Sequence, residues 1–171
     1  MRAWNEQRQL TYDEIERVLS MAIARTDYGD IALVLEEFGC DMLPETAYED
    51  MVKTRITMGD YGLARHAAQR AGRELTQAEC DKVAYFALFT NEDTAQIAQL
   101  AKTGKLSPAG IKVLIPICLD RALPQIASCL GEQISYQFSA AEIDRLHRSC
   151  EEKGVPDRLQ YVYQLPTLVV A

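Results

Sequence analysis

The stretch MGDYGLARHAAQRAG, residues 58–72, contains the triplet Asp60-Tyr61-Gly62, then nine residues, then Gly72. The same triplet and the same spacing occur 33 residues earlier, from Asp27-Tyr28-Gly29 to Gly39. Self-similarity at a fixed spacing of roughly 20 to 50 residues is typical of proteins built from repeats. The stretch therefore predicts a chain that is assembled from repeated structural units.

A second repeated feature marks where the predicted helices start: an apolar residue followed by Thr, Ser or Pro. Thr and Ser are favoured N-caps, Pro is favoured at the first helical position, and an apolar residue before the cap can pack on the first turn. The feature occurs five times, at offsets of 33, 32, 31 and 32 residues: Leu10-Thr11, Leu43-Pro44, Leu75-Thr76, Leu106-Ser107 and Phe138-Ser139. Three of these starts also have the glutamate of a capping box: Thr11 with Glu14, Thr76 with Glu79, and Ser139 with Glu142.

Each start opens a stretch with apolar residues at helical spacing, the first helix of a pair, and a second helical stretch fills the interval before the next start. The predicted first helices are 12–25, 45–57, 77–89, 109–119 and 140–153, and the predicted second helices are 28–38, 61–71, 94–102, 123–130 and 157–164. The helix at 109–119 is apolar nearly all round, so it is expected in the middle of a stack, and Pro116 is expected to kink or split it.

The fold prediction follows from burial. One helix pair cannot hide both of its apolar faces, so neighbouring pairs must stack and share a core. The predicted fold is all-α, a right-handed α-solenoid of about five antiparallel helix pairs with a repeat of 31–33 residues. Residues 1–171 are expected to form one domain, with a lead-in at 1–9 and an apolar tail at 167–171.

The chain is acidic, and its acidity is uneven. The net charge is −7, and residues 1–60 contain 13 Asp and Glu against 6 Lys and Arg, whereas residues 61–171 contain 12 of each. This distribution suggests a basic partner for the N-terminal third, with solubility as the alternative role, and it disfavours nucleic acid. No run of 18 apolar residues exists and the N-terminus is polar. We expect a cytoplasmic protein that does not enter membranes, with export independent of a signal peptide as the alternative.

No motif indicates catalysis, a metal or a cofactor. The five cysteines are widely spaced and are expected to be reduced and mostly buried. His66 is expected to be a surface side chain. His147 has Asp144 and Cys150 within one helical turn, but nucleophilic sites usually join separate elements. We predict no catalytic residues, and the alternative is an enzyme whose site is assembled across helices without a motif.

The segment 59–64, GDYGLA, with Ala71 seven residues on, resembles the second helix of a tetratricopeptide repeat. That family has a Gly-Asp-Tyr turn and two small alanines where its helices approach closely. Tyr48 and Met51 fall where the family has its large aromatic and its leucine in the first helix. The match is good over this one unit and holds in outline over the others. It implies a solenoid that binds peptides or partner proteins on a concave face lined by first helices.

The chain also departs from that family. Val52 occupies the position of a small residue, Arg55 that of a later aromatic, and the expected proline after the second helix is absent. If the chain follows the family, the groove carries Asp13, Glu16, Glu49, Lys53, Asp81, Tyr85 and Lys112 as partner-binding residues. These positions are mostly acidic, unlike the lysines and asparagines with which some relatives hold a C-terminal carboxylate.

The pentatricopeptide family, which binds RNA one base per repeat, is similar in outline at Leu10-Thr11-Tyr12-Asp13. Its base-contacting position would fall on Glu14, Ala47, Glu79, Gly110 and Glu142. Three carboxylates there would repel phosphate, so RNA binding is the less favoured alternative. The leading prediction is a protein-interaction module that needs no cofactor, acting as an adaptor, a secretion chaperone, an immunity protein or an effector. The sequence leaves its oligomeric state open.

Overall fold

The computed structural model describes residues 11, 13, 14, 17, 21, 45–90 and 94–167. These residues form helices and turns, so the all-α prediction is confirmed for the described part of the chain. The helices are α1 (Glu45–Thr57), α2 (Tyr61–Arg70), α3 (Gln77–Thr90), α4 (Thr94–Lys102), α5 (Pro108–Asp120), α6 (Pro124–Gln133), α7 (Ala140–Glu152) and α8 (Leu159–Val162), with a 3₁₀ turn at Pro156–Arg158 before α8. The predicted helices at 12–25 and 28–38 and the lead-in at 1–9 lie largely or wholly outside the described residues.

The predicted helix bounds are close to the observed ones. The bounds of α1 and α4 agree with the prediction at both ends, and α6 continues beyond residue 130 to Gln133. The last predicted helix, 157–164, is instead the 3₁₀ turn followed by the short α8, before the chain reaches Pro166. The backbone of the tail then returns to the start of α7, because the Phe138 N–H donates to the Pro166 carbonyl at 2.8 Å and Phe138 forms an isolated bridge with Thr167. Residues 168–171 are outside the described part.

All three predicted capping boxes form. The Thr76 N–H donates to a Glu79 carboxylate oxygen at 2.8 Å, and the Glu79 N–H donates to the Thr76 hydroxyl at 3.3 Å. The corresponding distances are 2.9 and 3.3 Å for Ser139 and Glu142, and 2.9 and 3.4 Å for Thr11 and Glu14. Each box satisfies donors that have no partner within the helix, which explains why α3 and α7 begin where the sequence predicts.

The box at Ser139 makes a prediction about acid stability. Burial, the largest influence, favours the neutral carboxyl of Glu142, but hydrogen bonds from the Tyr136 hydroxyl, at 2.7 Å, and from Ser139 lower its pKa below the usual value. A carboxyl with a lowered folded-state pKa stabilises the fold above its unfolded pKa of about 4.3, and this contribution is lost as the pH falls through the folded pKa. Thermal melts of Glu142→Gln should therefore depend less on pH below about pH 5 than those of the native chain.

The matched control is Glu152→Gln, because Glu152 is an exposed carboxylate on the same helix. Its melting temperature should follow the native curve over the whole pH range. A Glu142→Gln variant that is as acid-sensitive as the native chain would show that the hydrogen bonds at Ser139 contribute nothing to acid stability.

The chain divides into two compact units. The N-terminal unit comprises residues 1–55 and 62–75, and the C-terminal unit comprises residues 56–61 and 76–171. In the N-terminal unit the alanines of α2 that face inward, Ala64, Ala67 and Ala68, are fully or almost fully buried. The sequence predicts close approach at Ala64 and Ala71, and of these two Ala64 is fully buried whereas Ala71 is only half-buried.

The C-terminal unit is a succession of helices in which α3 to α6 each pack on the helix two positions later in the chain. Helix α3 packs on α4 and α5, α4 packs on α6, α5 packs on α6 and α7, and α8 packs on α6 and α7. Helix α5 thus contacts three helices, which explains why Ile111, Leu114, Ile115, Cys118 and Leu119 are all buried on it. The first helices of the sequence prediction here are α3, α5 and α7, and the second helices are α4, α6 and α8.

Pro116 was expected to kink or split its helix, and the split is wrong, because α5 runs unbroken from Pro108 to Asp120. Proline removes the N–H that would bond to the carbonyl of residue 112. Pro116 and Lys112 are both exposed, so water next to the helix can solvate the Lys112 carbonyl. The cost of the missing hydrogen bond is therefore smaller than it would be in a buried position.

The turn of the GDYG stretch is held by a side chain that the sequence did not single out. Gly59 has a φ of +71° and lies against the backbone of α3. The Gln96 side chain on α4 accepts from the Tyr61 N–H at 3.0 Å and donates to the Gly59 carbonyl at 2.8 Å. One amide group thus satisfies both a donor and an acceptor of the turn, and it holds residues 59–61 in place within the C-terminal unit.

Candidate partner-binding surface

The seven predicted partner-binding residues fall into three groups. Asp13 is exposed, and Glu16 lies outside the described residues. The structure places Glu49 with Lys53 in the N-terminal unit and Asp81, Tyr85 and Lys112 in the C-terminal unit. The predicted residues differ in whether their side chains already form hydrogen bonds or ion pairs within the chain.

Glu49 is part of an ion pair within the N-terminal unit. The Arg73 guanidinium donates through Nε to Oε1 at 2.5 Å and through Nη2 to Oε2 at 2.8 Å, a two-pronged geometry that is among the stronger kinds of ion pair. Lys53 is an exposed side chain on the same helix whose ammonium lies 2.9 Å from Asp50. The hydrogen bond and the charge of Asp50 raise the pKa of Lys53. Both side chains thus have partners inside the chain.

Asp81 caps the next first helix. Its carboxylate accepts from the Ser107 N–H at 2.9 Å and from the Ser107 hydroxyl at 2.6 Å, and that hydroxyl accepts from the Gly110 N–H at 2.9 Å. These are the bonds that a glutamate makes in the other capping boxes. Position 110 is glycine, so Asp81 supplies the carboxylate from α3 instead. A Cβ atom on Gly110 would overlap this carboxylate, which explains the glycine.

Tyr85, Phe89 and Val113 form what we call the aromatic face of α3 and α5. They are 39%, 51% and 55% exposed. The rings of Tyr85 and Phe89, one helical turn apart, have centroids separated by 5.0 Å, and the Arg121 guanidinium lies 5.6 Å from the centre of the Phe89 ring. Tyr85 was predicted from its position on the first helix, whereas Phe89 and Val113 were not predicted to contact a partner. The sequence did indicate an exposed apolar residue on α5, because that helix has more apolar residues than one buried side requires.

The second-helix side of the C-terminal unit has a pocket of about 350 Å³. Its lining includes Lys102 on α4, Cys129 and Glu132 on α6, and Tyr161 on α8. Burial raises the pKa of the Cys129 thiol more than nearby Lys102 lowers it. A thiol with a raised pKa is protonated at neutral pH, so this cysteine is a poor nucleophile.

His147 does not form a catalytic set with Asp144 and Cys150. Cys150 is fully buried, and burial raises the pKa of its thiol, whereas Asp144 is exposed. His147 instead lies 3.4 Å through Nε2 from the Tyr163 hydroxyl and 3.6 Å through Nδ1 from Glu151. The contact with Tyr163 connects α7 to the residue after α8. As at Cys150, burial raises the pKa of the Cys118 thiol on α5, here to about 12.

The positions that correspond to the base-contacting residues of pentatricopeptide proteins have structural roles here. Glu14, Glu79 and Glu142 are the carboxylates of the three capping boxes. Gly110 leaves room for the carboxylate of Asp81. The three glutamates thus stabilise helix starts, and the side chain of Ala47, the remaining position, lies outside the described part.

Among the described residues, no three His, Cys, Asp or Glu side chains are grouped closely enough to hold a metal ion, and no helix there is both long and apolar enough to cross a membrane. The four described cysteines are free thiols. No protein-family model matches the chain, and no match was found among curated proteins or solved structures.

Proposed function

We propose that the chain is a protein-interaction module that binds a partner protein or peptide on the exposed surface of its first helices. The observation that carries this proposal is the aromatic face, Tyr85, Phe89 and Val113. Aromatic side chains are enriched in the centres of protein interfaces, and clustered exposed apolar groups gain free energy when a partner covers them.

The placement of these residues supports the proposal. In the described part of the C-terminal unit, the second helices α4 and α6 expose no large apolar side chain. Met58 and Tyr163 are the other large apolar residues exposed in that part, and they lie in a turn and after the end of α8. Exposed large apolar side chains thus occur on the first helices α3 and α5 and not on α4 and α6, as expected if a partner binds to the first helices.

We further propose that the helix pairs continue as a right-handed α-solenoid with a repeat of 31–33 residues. Successive packing of α3 on α5 and of α5 on α7, with α4 on α6 and α6 on α8, is the pattern that such a stack would produce. In this arrangement the first helices would line one continuous surface. An adaptor, a secretion chaperone, an immunity protein or an effector could each act through it.

At the N-terminal end we retain the hypothesis of a basic partner segment. It rests on the excess of acidic residues before position 61 and on Asp13 and Glu16. Reversing the charge at Glu49 would place a lysine next to Arg73 and disturb the fold. The variant Asp13→Lys combined with Glu16→Lys therefore tests the hypothesis of a basic partner without breaking that ion pair.

Site-specific photo-crosslinking tests the proposed function. A photoreactive phenylalanine analogue at Phe89 or Val113 should yield a discrete crosslinked product in the native host, identified by mass spectrometry. The control is the same analogue at Gln99, an exposed position on α4. The same products at all three positions, or none at any, would contradict binding on the first helices.

A further inference from the structure

We infer that the partner segment that docks on the aromatic face is acidic: an apolar side chain packs on Tyr85, Phe89 and Val113, and flanking Asp or Glu side chains pair with Lys82 and Lys112. This inference rests on the proposed function and names the chemistry of the partner. It concerns the C-terminal unit alone, and it is separate from the basic segment expected at the acidic N-terminal third.

The position of Lys82 is set by helical spacing. Lys82, Tyr85 and Phe89 stand at i, i+3 and i+7 on α3, which places them on one side of that helix. Lys82 is exposed, and its ammonium makes no hydrogen bond or ion pair with any residue that the structure describes. A cation thus stands one helical turn before the two aromatic rings.

Lys112 is the exposed cation of α5, on the neighbouring side of that helix to Val113. It directly precedes Val113, and both residues are exposed. Helices α3 and α5 run side by side, because Asp81 bonds to Ser107 near their first turns and Phe89 contacts Arg121 near their last. Like Lys82, the Lys112 ammonium has no ion-pair partner in the described part of the chain.

The carboxylates of the same two helices are already used. Helices α3 and α5 contain five charged residues: Glu79, Asp81, Lys82, Lys112 and Asp120. Glu79 bonds to Thr76, Asp81 bonds to Ser107, and Asp120 accepts two hydrogen bonds of 2.6 Å from Arg145. The charges of these two helices that are left for a partner are therefore the two ammonium groups of Lys82 and Lys112.

The net charge of the chain does not oppose an acidic partner here. The excess of −7 arises before residue 61, and residues 61–171 carry equal numbers of acidic and basic side chains. Exposed ion pairs contribute little affinity and are screened by salt, so the apolar contact would drive binding and the lysines would select among partners.

Peptide display tests this inference. A phage-displayed random dodecapeptide library is selected on the full chain, and enriched peptides are synthesised and measured by fluorescence polarisation. Enriched peptides should combine Asp or Glu with Leu or aromatic residues. The variant Lys82→Glu with Lys112→Glu should weaken their binding by about tenfold, and peptides with every Asp and Glu replaced by Lys should prefer that variant.

The control is Lys102→Glu with Lys105→Glu, which changes the net charge equally at exposed positions away from the aromatic face. It should alter affinity by less than about twofold. Neutral or basic peptides that lose binding in Phe89→Ala with Val113→Ala would overturn the acidic partner and leave the proposed function standing. Failure to enrich any peptide that depends on Phe89 and Val113 would count against both.

Discussion

Replacing Gly59 with alanine is expected to lower the free energy of unfolding by about 2–5 kcal/mol. Two costs add. Gly59 has a φ of +71°, where an L-residue is strained, and a Cβ atom there would lie 2.5 Å from the N and Cα atoms of Ala87. Those atoms belong to the backbone of α3, which cannot move aside as a flexible side chain could. Urea unfolding followed by far-ultraviolet circular dichroism measures the loss.

Gly72 provides a matched control for this prediction. Its φ is +74°, close to that of Gly59, but a Cβ atom there would have nothing within 4 Å. Gly72→Ala should therefore show the backbone cost alone, about 1–2 kcal/mol. If Gly59→Ala and Gly72→Ala were equally destabilised, the close approach of the Gly59 turn to α3 would not contribute to stability.

The helix starts could be predicted from the sequence because their chemistry is local. The box between Thr76 and Glu79 needs only residues three positions apart, and the same holds at Ser139. The partner of the Gly59 turn could not be predicted in this way, because Gln96 lies 37 positions further on in the chain. The sequence around a glutamine at a polar helix position does not indicate which turn its side chain will bond to.

The candidate site was only partly predictable for a related reason. Helical spacing placed Asp81 and Tyr85 on the first helix, and Tyr85 is exposed as a contact residue should be. Spacing could not show that Asp81 bonds to Ser107, since the two are 26 positions apart. Whether a side chain is available to a partner depends on what the neighbouring helix presents to it. That information became available only when α3 and α5 were placed side by side.

The cap at Ser107 leads to a second large expected effect. Asp81→Ala should lower the free energy of unfolding by about 1–3 kcal/mol, because the Ser107 N–H at the start of α5 loses its acceptor. Gly110→Glu alone should also be destabilising, because its Cβ atom overlaps the carboxylate of Asp81. In the native chain the two positions are therefore coupled: the carboxylate from α3 requires a glycine at the third position of α5.

The double variant Asp81→Ala with Gly110→Glu should recover most of the lost stability. It removes the obstructing carboxylate and creates the sequence Ser-x-x-Glu, the capping box that the chain already forms at Ser139. A double-mutant cycle in urea should give a coupling free energy of about 1–3 kcal/mol, whereas additive losses would contradict the exchange of one cap for the other. The double variant also distinguishes a structural role of Asp81, holding Ser107, from direct contact with a partner. A peptide selected on the aromatic face should bind this variant as it binds the native chain, unless Asp81 contacts the partner in addition to holding Ser107.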